Sequence, residues 1–189
     1  MSVYGQNKQP YTLGGAASIY CGNQRIATLE DPGTDPALSS LGYPTGNPLT
    51  VSNTFVAYQH FAVGGELRGN NLGELALLEL AQYLSTHHPS VQKIVLSMHK
   101  KALSTDNPIT LRNARVKLLL RLGIPHKDIH AQPTGALPGQ WRVAAIWPSS
   151  LWNLKRLPQL REQHAATTIP EQRRPPTSCW SLLKQNLFS

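Results

Sequence analysis

The stretch NLGELALLELAQYLSTHHPSVQKIVLSM, residues 71–98, carries two hydrophobic periods in immediate succession. In its first half Leu77, Leu80, Ala81 and Leu84 recur at i, i+3, i+4 and i+7, the spacing that lines up apolar side chains on one stripe of a helix. Asn71, with Glu74 three residues on, makes a capping-box-like start, and His87-His88-Pro89 ends the periodicity, so the spacing predicts a helix over residues 72–86. In the second half Ile94, Leu96 and Met98 alternate, which predicts a strand over residues 91–98 with one face in a core. An amphipathic helix followed by a half-buried strand is what a helix-on-sheet layer requires.

Working outward, residues 54–63 (TFVAYQHFAV) are aromatic and β-branched and stop at Gly64-Gly65, as a strand closed by a turn does. Downstream, Asn107 before Pro108 reads as N-cap and first helical residue. Val116, Leu119 and Leu120 then carry a helical period to Gly123, and Pro125 prevents continuation. Two further strands follow at residues 128–132 and 141–147, the second closed by Pro148. The expected fold is therefore α+β, a β-α-β-α-β-β two-layer sandwich over residues 54–148 with the helices packed on one mixed sheet. Residues 1–53, full of turn formers and with one strand-like piece at 25–29, are expected as an extended N-terminal arm. Residues 149–189 are expected as a basic, Pro-containing tail, in which Lys155, Arg156, Arg161, Arg173, Arg174 and Lys184 outnumber Glu162 and Glu171.

A chain of 189 residues with 40% hydrophobic and 15% charged residues buries a core without staples, which excludes a disulfide mini-protein and a highly charged disordered polymer. No apolar run approaches the ~18–20 residues of a membrane-spanning helix. The net charge of +8 favours anionic partners, though charge alone does not choose among nucleic acid, acidic headgroups and a wall polymer. The basic residues of the tail are scattered among prolines, and nucleic acid is not expected. Cys21 and Cys179 lie in the flanks without a CxxC motif. Tyr20 stands directly before Cys21 where a lipoprotein signal needs a small residue, so Cys21 reads as an ordinary thiol. His87, His88 and His99 have no third ligand at a supporting spacing, so no metal and no cofactor are expected, and no Ser/His/Asp or Cys/His pattern is present.

Several pieces coincide in order with a known family: Leu77-Leu-Glu-Leu-Ala-Gln-Tyr-Leu84, the strand at 91–98, Asn107, Arg112-Asn-Ala-Arg-Val116, Gly123-Ile124 to Ile129, Gly135 to Pro138, and Trp141-Arg-Val143. Over about 90 residues the chain resembles the OmpA-like (OmpA C-terminal, Pal and MotB) peptidoglycan-binding domains. The resemblance implies a non-catalytic cell-envelope protein, periplasmic or outer-membrane associated, with peptidoglycan and other envelope-assembly proteins as partners. It serves there as an anchor or as a structural piece of a secretion or conjugation machine. It also implies that Arg112 forks onto the carboxylate of the wall's diaminopimelate while an anion meets its ammonium. Lys100 stands in line with the family's aspartate, so Asp106, later in the same loop, is the candidate anion, with Asn107 beside it.

A second resemblance belongs to a different class. Arg68-Gly69-Asn70-Asn71-Leu72-Gly73, after a strand and before a helix, is similar to the R-x-x-G-x-G pyrophosphate loop of the GCN5-related N-acetyltransferases (GNATs), whose amides at a helix N-terminus hold CoA phosphates. Asn71 replaces the first glycine, and Leu119 lies near the place where that family often puts an acid tyrosine. This implies the alternative expectation of an acyl-CoA-dependent acyltransferase.

Overall fold

The computed structural model describes residues 1–30, 54–63, 71–98, 107–134 and 140–172. Strand β4 (Phe55–Val63), helix α1 (Leu72–His87), β5 (Lys93–Met98), α2 (Pro108–Arg121), β6 (Ile129–Pro133) and β7 (Trp141–Pro148) reproduce the β-α-β-α-β-β order expected from the sequence. The fold is α+β, with an open mixed sheet and helices.

The sheet is larger than expected. Residues 2–30, expected as part of an arm, form β1 (Ser2–Tyr4), β2 (Ala17–Cys21) and β3 (Gln24–Glu30), and the seven strands lie in the order β1-β2-β3-β4-β5-β7-β6. β2 and β3 are joined by a two-residue turn at Gly22-Asn23, where Gly22 holds the left-handed φ of +57° that such a turn demands. Of the neighbouring pairs, β4 and β5 run parallel and the rest antiparallel. The rest of the expected arm, residues 31–53, lies outside the described residues.

The three described helices share one core with the sheet. Val56 and Tyr58 of β4, Ile94, Leu96 and Met98 of β5, and Val143, Ala145 and Trp147 of β7 meet the leucines of α1, Leu119 of α2, and Leu157 and Leu160 further on. The alternation read at Ile94, Leu96 and Met98 is thus the buried face of β5. Opposite it, Ala57 and Val95 form a small second cluster with Phe55 and Ile146. α1 is buried from Leu72 to Leu84 on nearly every side, as expected of a helix enclosed by sheet and helices.

Part of that enclosure comes from α3 (Leu157–Gln172), a helix inside the segment expected as tail. Arg161 closes a bidentate pair on the buried Glu79, at 2.5 and 2.7 Å, and Arg156 pairs with the buried Glu74 at 2.5 Å. The Glu79 hydrogen bonds hold the Arg161 guanidinium protonated above even its ordinary range.

The helix starts differ in kind. Asn107 caps α2 as expected, its side-chain oxygen accepting from the amides of Ile109 (2.9 Å) and Thr110 (3.3 Å), with Pro108 following. Asn107→Ala is expected to lower stability by about 1 kcal/mol, read as a lower urea midpoint at unchanged slope. The capping box expected at Asn71 does not form. Asn71 takes a left-handed φ of 55°, its side-chain oxygen accepts instead from Arg121 Nη1, and Glu74 turns to Arg156.

Candidate functional site

The site begins with one extra residue in β4. Against β3, Val63 faces Ala27 and Ala62 faces Thr28, but Gln59 faces Glu30, so three steps along β4 match two along β3. The insertion flips the alternation: Val56 and Tyr58 face the helices before it, Phe61 and Val63 after it. A bulge of this kind bends its strand, raises its twist and breaks the local ladder. Here it coincides with the end of the β4–β5 pairing, which runs from Phe55↔Lys93 to Gln59↔Ser97 and stops there, although β4 continues to Val63. Past that point β4 follows β3, while Ser97 and Met98 stay paired with Ala144 and Val143 of β7. β5 ends at Met98, one residue past the last pair, so among the described residues 60–63 of β4 have no partner on the β5 side, which leaves an opening there.

The β5 side of this opening is fixed from below. Arg115 Nη1 donates to the carbonyls of Met98 (3.0 Å) and Trp141 (3.1 Å), tying α2 to the end of β5 and the start of β7. Sequence reading had singled out Arg112 in this motif, whereas Arg115, one helical turn on, reaches the sheet.

α1, from Leu72, is the next described element after β4. Its N-terminal amides and the positive end of its dipole lie beside two guanidiniums: Arg121, held on Asn71, and Arg156, held on Glu74 and donating to the Arg121 carbonyl at 3.4 Å. Gly73 sets the spacing. A Cβ there would meet Leu118 Cδ2 at 3.3 Å and Phe61 Cε1 at 3.4 Å, so even the smallest side chain needs Leu118 to give by a few tenths of an ångström, and a branched one needs more. Arg68 and Gly69 lie outside the described residues.

Tyr58, one residue before Gln59, shares a 2.5 Å hydrogen bond with Tyr11 in the core. Burial pushes Tyr58 well above the usual phenol range and raises Tyr11 as well, so both are neutral at physiological pH. Leu119 is fully buried and presents no acid to any opening.

Of the residues expected to grip diaminopimelate, Arg112 and Asn107 are described. Asp106 and Lys100 lie outside the described residues, and the Asn107 oxygen is occupied by the α2 cap. Arg112 stacks its guanidinium 4.6 Å from the Trp141 ring centre and lines a groove between α2 and β6 instead of the β4–β5 opening. His87 and His88 pack their rings about Tyr83, at 4.4 and 6.1 Å. No described helix is long and apolar enough to cross a membrane.

No family model and no curated protein matches the chain. Two solved structures do. One is the CoA-dependent acyl-homoserine lactone synthase MesI, with 12% identity and a TM-score of 0.40 over 85% of this chain and 75% of that one. The other is the CoA-dependent acyl-homoserine lactone synthase BjaI, with MTA, with 10% identity and a TM-score of 0.41 over 85% of this chain and 71% of that one. Both are enzymes and neither is an OmpA-like protein, which corrects the expectation of a non-catalytic OmpA-like anchor or secretion component. An overlay as loose as a TM-score near 0.4 transfers no site; the chemistry has to come from the strands of this chain.

Proposed function

We propose that the protein is an acyl-CoA-dependent acyltransferase of the GNAT type. The observation that carries the reading is the end of the β4–β5 pairing at Gln59↔Ser97, beside a one-residue bulge in β4 and ahead of α1. A pantetheine arm is an extended chain of amides, and unmatched strand edges supply the donors and acceptors to hold it as a short added strand. The first turn of α1 supplies amides for a pyrophosphate, with Arg121 and Arg156 close by. Gly73 keeps this end of α1 tight against Phe61 and Leu118, so that the two subsites stay in one line. The acyl thioester provides an activated carbonyl. The reaction supported is attack on it by an amine: a C–N bond forms, the C–S bond breaks, the thiol leaves, and the amine gives up a proton.

The test is calorimetric titration of the full chain with acetyl-CoA and octanoyl-CoA, together with an assay for thiol release in the presence of amines. Saturable binding is expected, weakened about tenfold or more in Gly73→Val, with a thermal melt confirming that the variant is folded. Absence of saturable binding by either thioester in the folded wild-type chain sinks the reading.

A further inference from the structure

β6 ends the sheet, and among the described residues no strand pairs with its outer edge. His130, Gln132 and Pro133 are exposed along it. An open edge offers unpaired amides and carbonyls to another extended chain, and the usual protections are a charge or a proline on the strand. Only its last residue, Pro133, supplies one of these.

Beside that edge lies a groove of about 480 Å³, walled by Arg112, Val116, Lys117 and Leu120 of α2 and by Ile129 and Ala131 of β6, with His126 at one end. α2 turns an apolar stripe to the outside here. Leu120 is 43% exposed, and Ile109, 56% exposed, lies at helical spacing from Asn113, Val116 and Leu120. The same helix face is cationic. Among the described residues no carboxylate pairs with Arg112 or Lys117, and the Arg112 Nε is shielded from water without a hydrogen-bond partner. A donor in that condition is worth more to a ligand acceptor than to solvent.

We infer that this groove and the free edge of β6 dock an acidic peptide segment in extended form. The segment adds as a strand to β6, lays alternate apolar side chains between Val116, Leu120 and Ile129, and sets carboxylates against Arg112 and Lys117. Three features select this occupant. The strand edge asks for peptide backbone, and the apolar walls ask for side chains that nucleic acid does not have. Arg112 and Lys117, which no described carboxylate pairs, ask for anions, which a second copy of this +8 chain bringing the same groove would not supply. The site is separate from the β4–β5 opening and does not depend on the acyltransferase reading.

The test is fluorescence anisotropy of the full chain with a labelled alternating Glu-Val peptide of about eight residues. Saturable binding is expected, weakened about tenfold or more by Lys117→Glu and by Arg112→Gln, while Lys155→Glu, an exposed charge outside the groove, leaves it unchanged. Amide hydrogen exchange is expected to slow in β6 when the peptide is bound. Equal binding of an alternating Lys-Val peptide overturns the inference, as does equal weakening by Lys155→Glu. So does a labelled oligo-dT that binds more tightly than the peptide with the same dependence on Lys117. Self-association of the chain that protects β6 without any peptide also overturns it, assigning the edge to a second copy. Lys117 is exposed on α2, so Lys117→Glu is expected to keep the wild-type melting curve, and a thermal melt checks that Arg112→Gln, which gives up the stacking on Trp141, is folded.

Discussion

Trp147→Ala is expected to destabilise the protein by about 4 kcal/mol, the largest effect of any single truncation considered. Trp147 is fully buried near the C-terminal end of β7, and its partner on the neighbouring strand is Ile94 of β5. Its indole Nε1 donates to the Leu122 carbonyl at 3.2 Å, where α2 ends, and its ring lies 5.9 Å from that of Trp152. Truncation therefore opens a cavity between sheet and helices and also leaves a buried carbonyl without its donor. Trp147→Phe separates the two contributions, since it restores most of the volume but not the hydrogen bond, and about 2 kcal/mol is expected to remain. Urea unfolding followed by far-ultraviolet circular dichroism measures both. A loss below about 1 kcal/mol for the alanine variant would mean that the indole does not fill the space between β7 and the helices.

Arg161→Ala comes second, at about 2–3 kcal/mol. Glu79 is only 4% exposed and both its oxygens are used by Arg161, so removal of the guanidinium leaves a carboxylate shut between α1 and α3. Breaking a fully buried pair costs about 3–5 kcal/mol, and the value here is reduced because the Arg161 side chain is 45% exposed and solvent screens it. Glu79→Leu combined with Arg161→Leu removes the pair without orphaning either charge, and it is expected to recover most of the loss. Hydrogen exchange should place the Arg161→Ala defect in α3, with the sheet protected as before. If the single and double variants are equally stable, the pair behaves as a solvated surface contact.

These two sites also show where the sequence could be read and where it could not. Trp147 sits in a strand that the sequence shows at residues 141–147, although the strand alone does not say which of its faces is buried. Arg161 sits in a segment expected as tail, because Leu157, Leu160 and His164 make a sparse stripe. α3 is held by Leu157 and Leu160 in the core and by the Arg161–Glu79 pair to α1, and no local pattern announces that pair. β2 and β3 did carry a signal: Gly22-Asn23 between two short runs is a two-residue hairpin turn, and Ala17-Ser18-Ile19-Tyr20 is its buried strand. The R-x-x-G-x-G likeness at residues 68–73 pointed to the proposed chemistry, while the longer OmpA-like series matched element order and led to a non-catalytic function.

Local chemistry determined the elements themselves. Periods of 3.6 and 2, the Asn107-Pro108 cap and the stop at Gly123 are properties of neighbouring residues, so the succession from β4 to β7 could be written from the chain alone. Tertiary structure decided which strand lies beside which. The parallel seam of β4 and β5, its end at Gln59↔Ser97 and the bulge behind it depend on register against β3 and β7, tens of residues away. Register is selected by the burial of whole faces at once, and a one-residue shift of that kind leaves no mark in any short window of sequence.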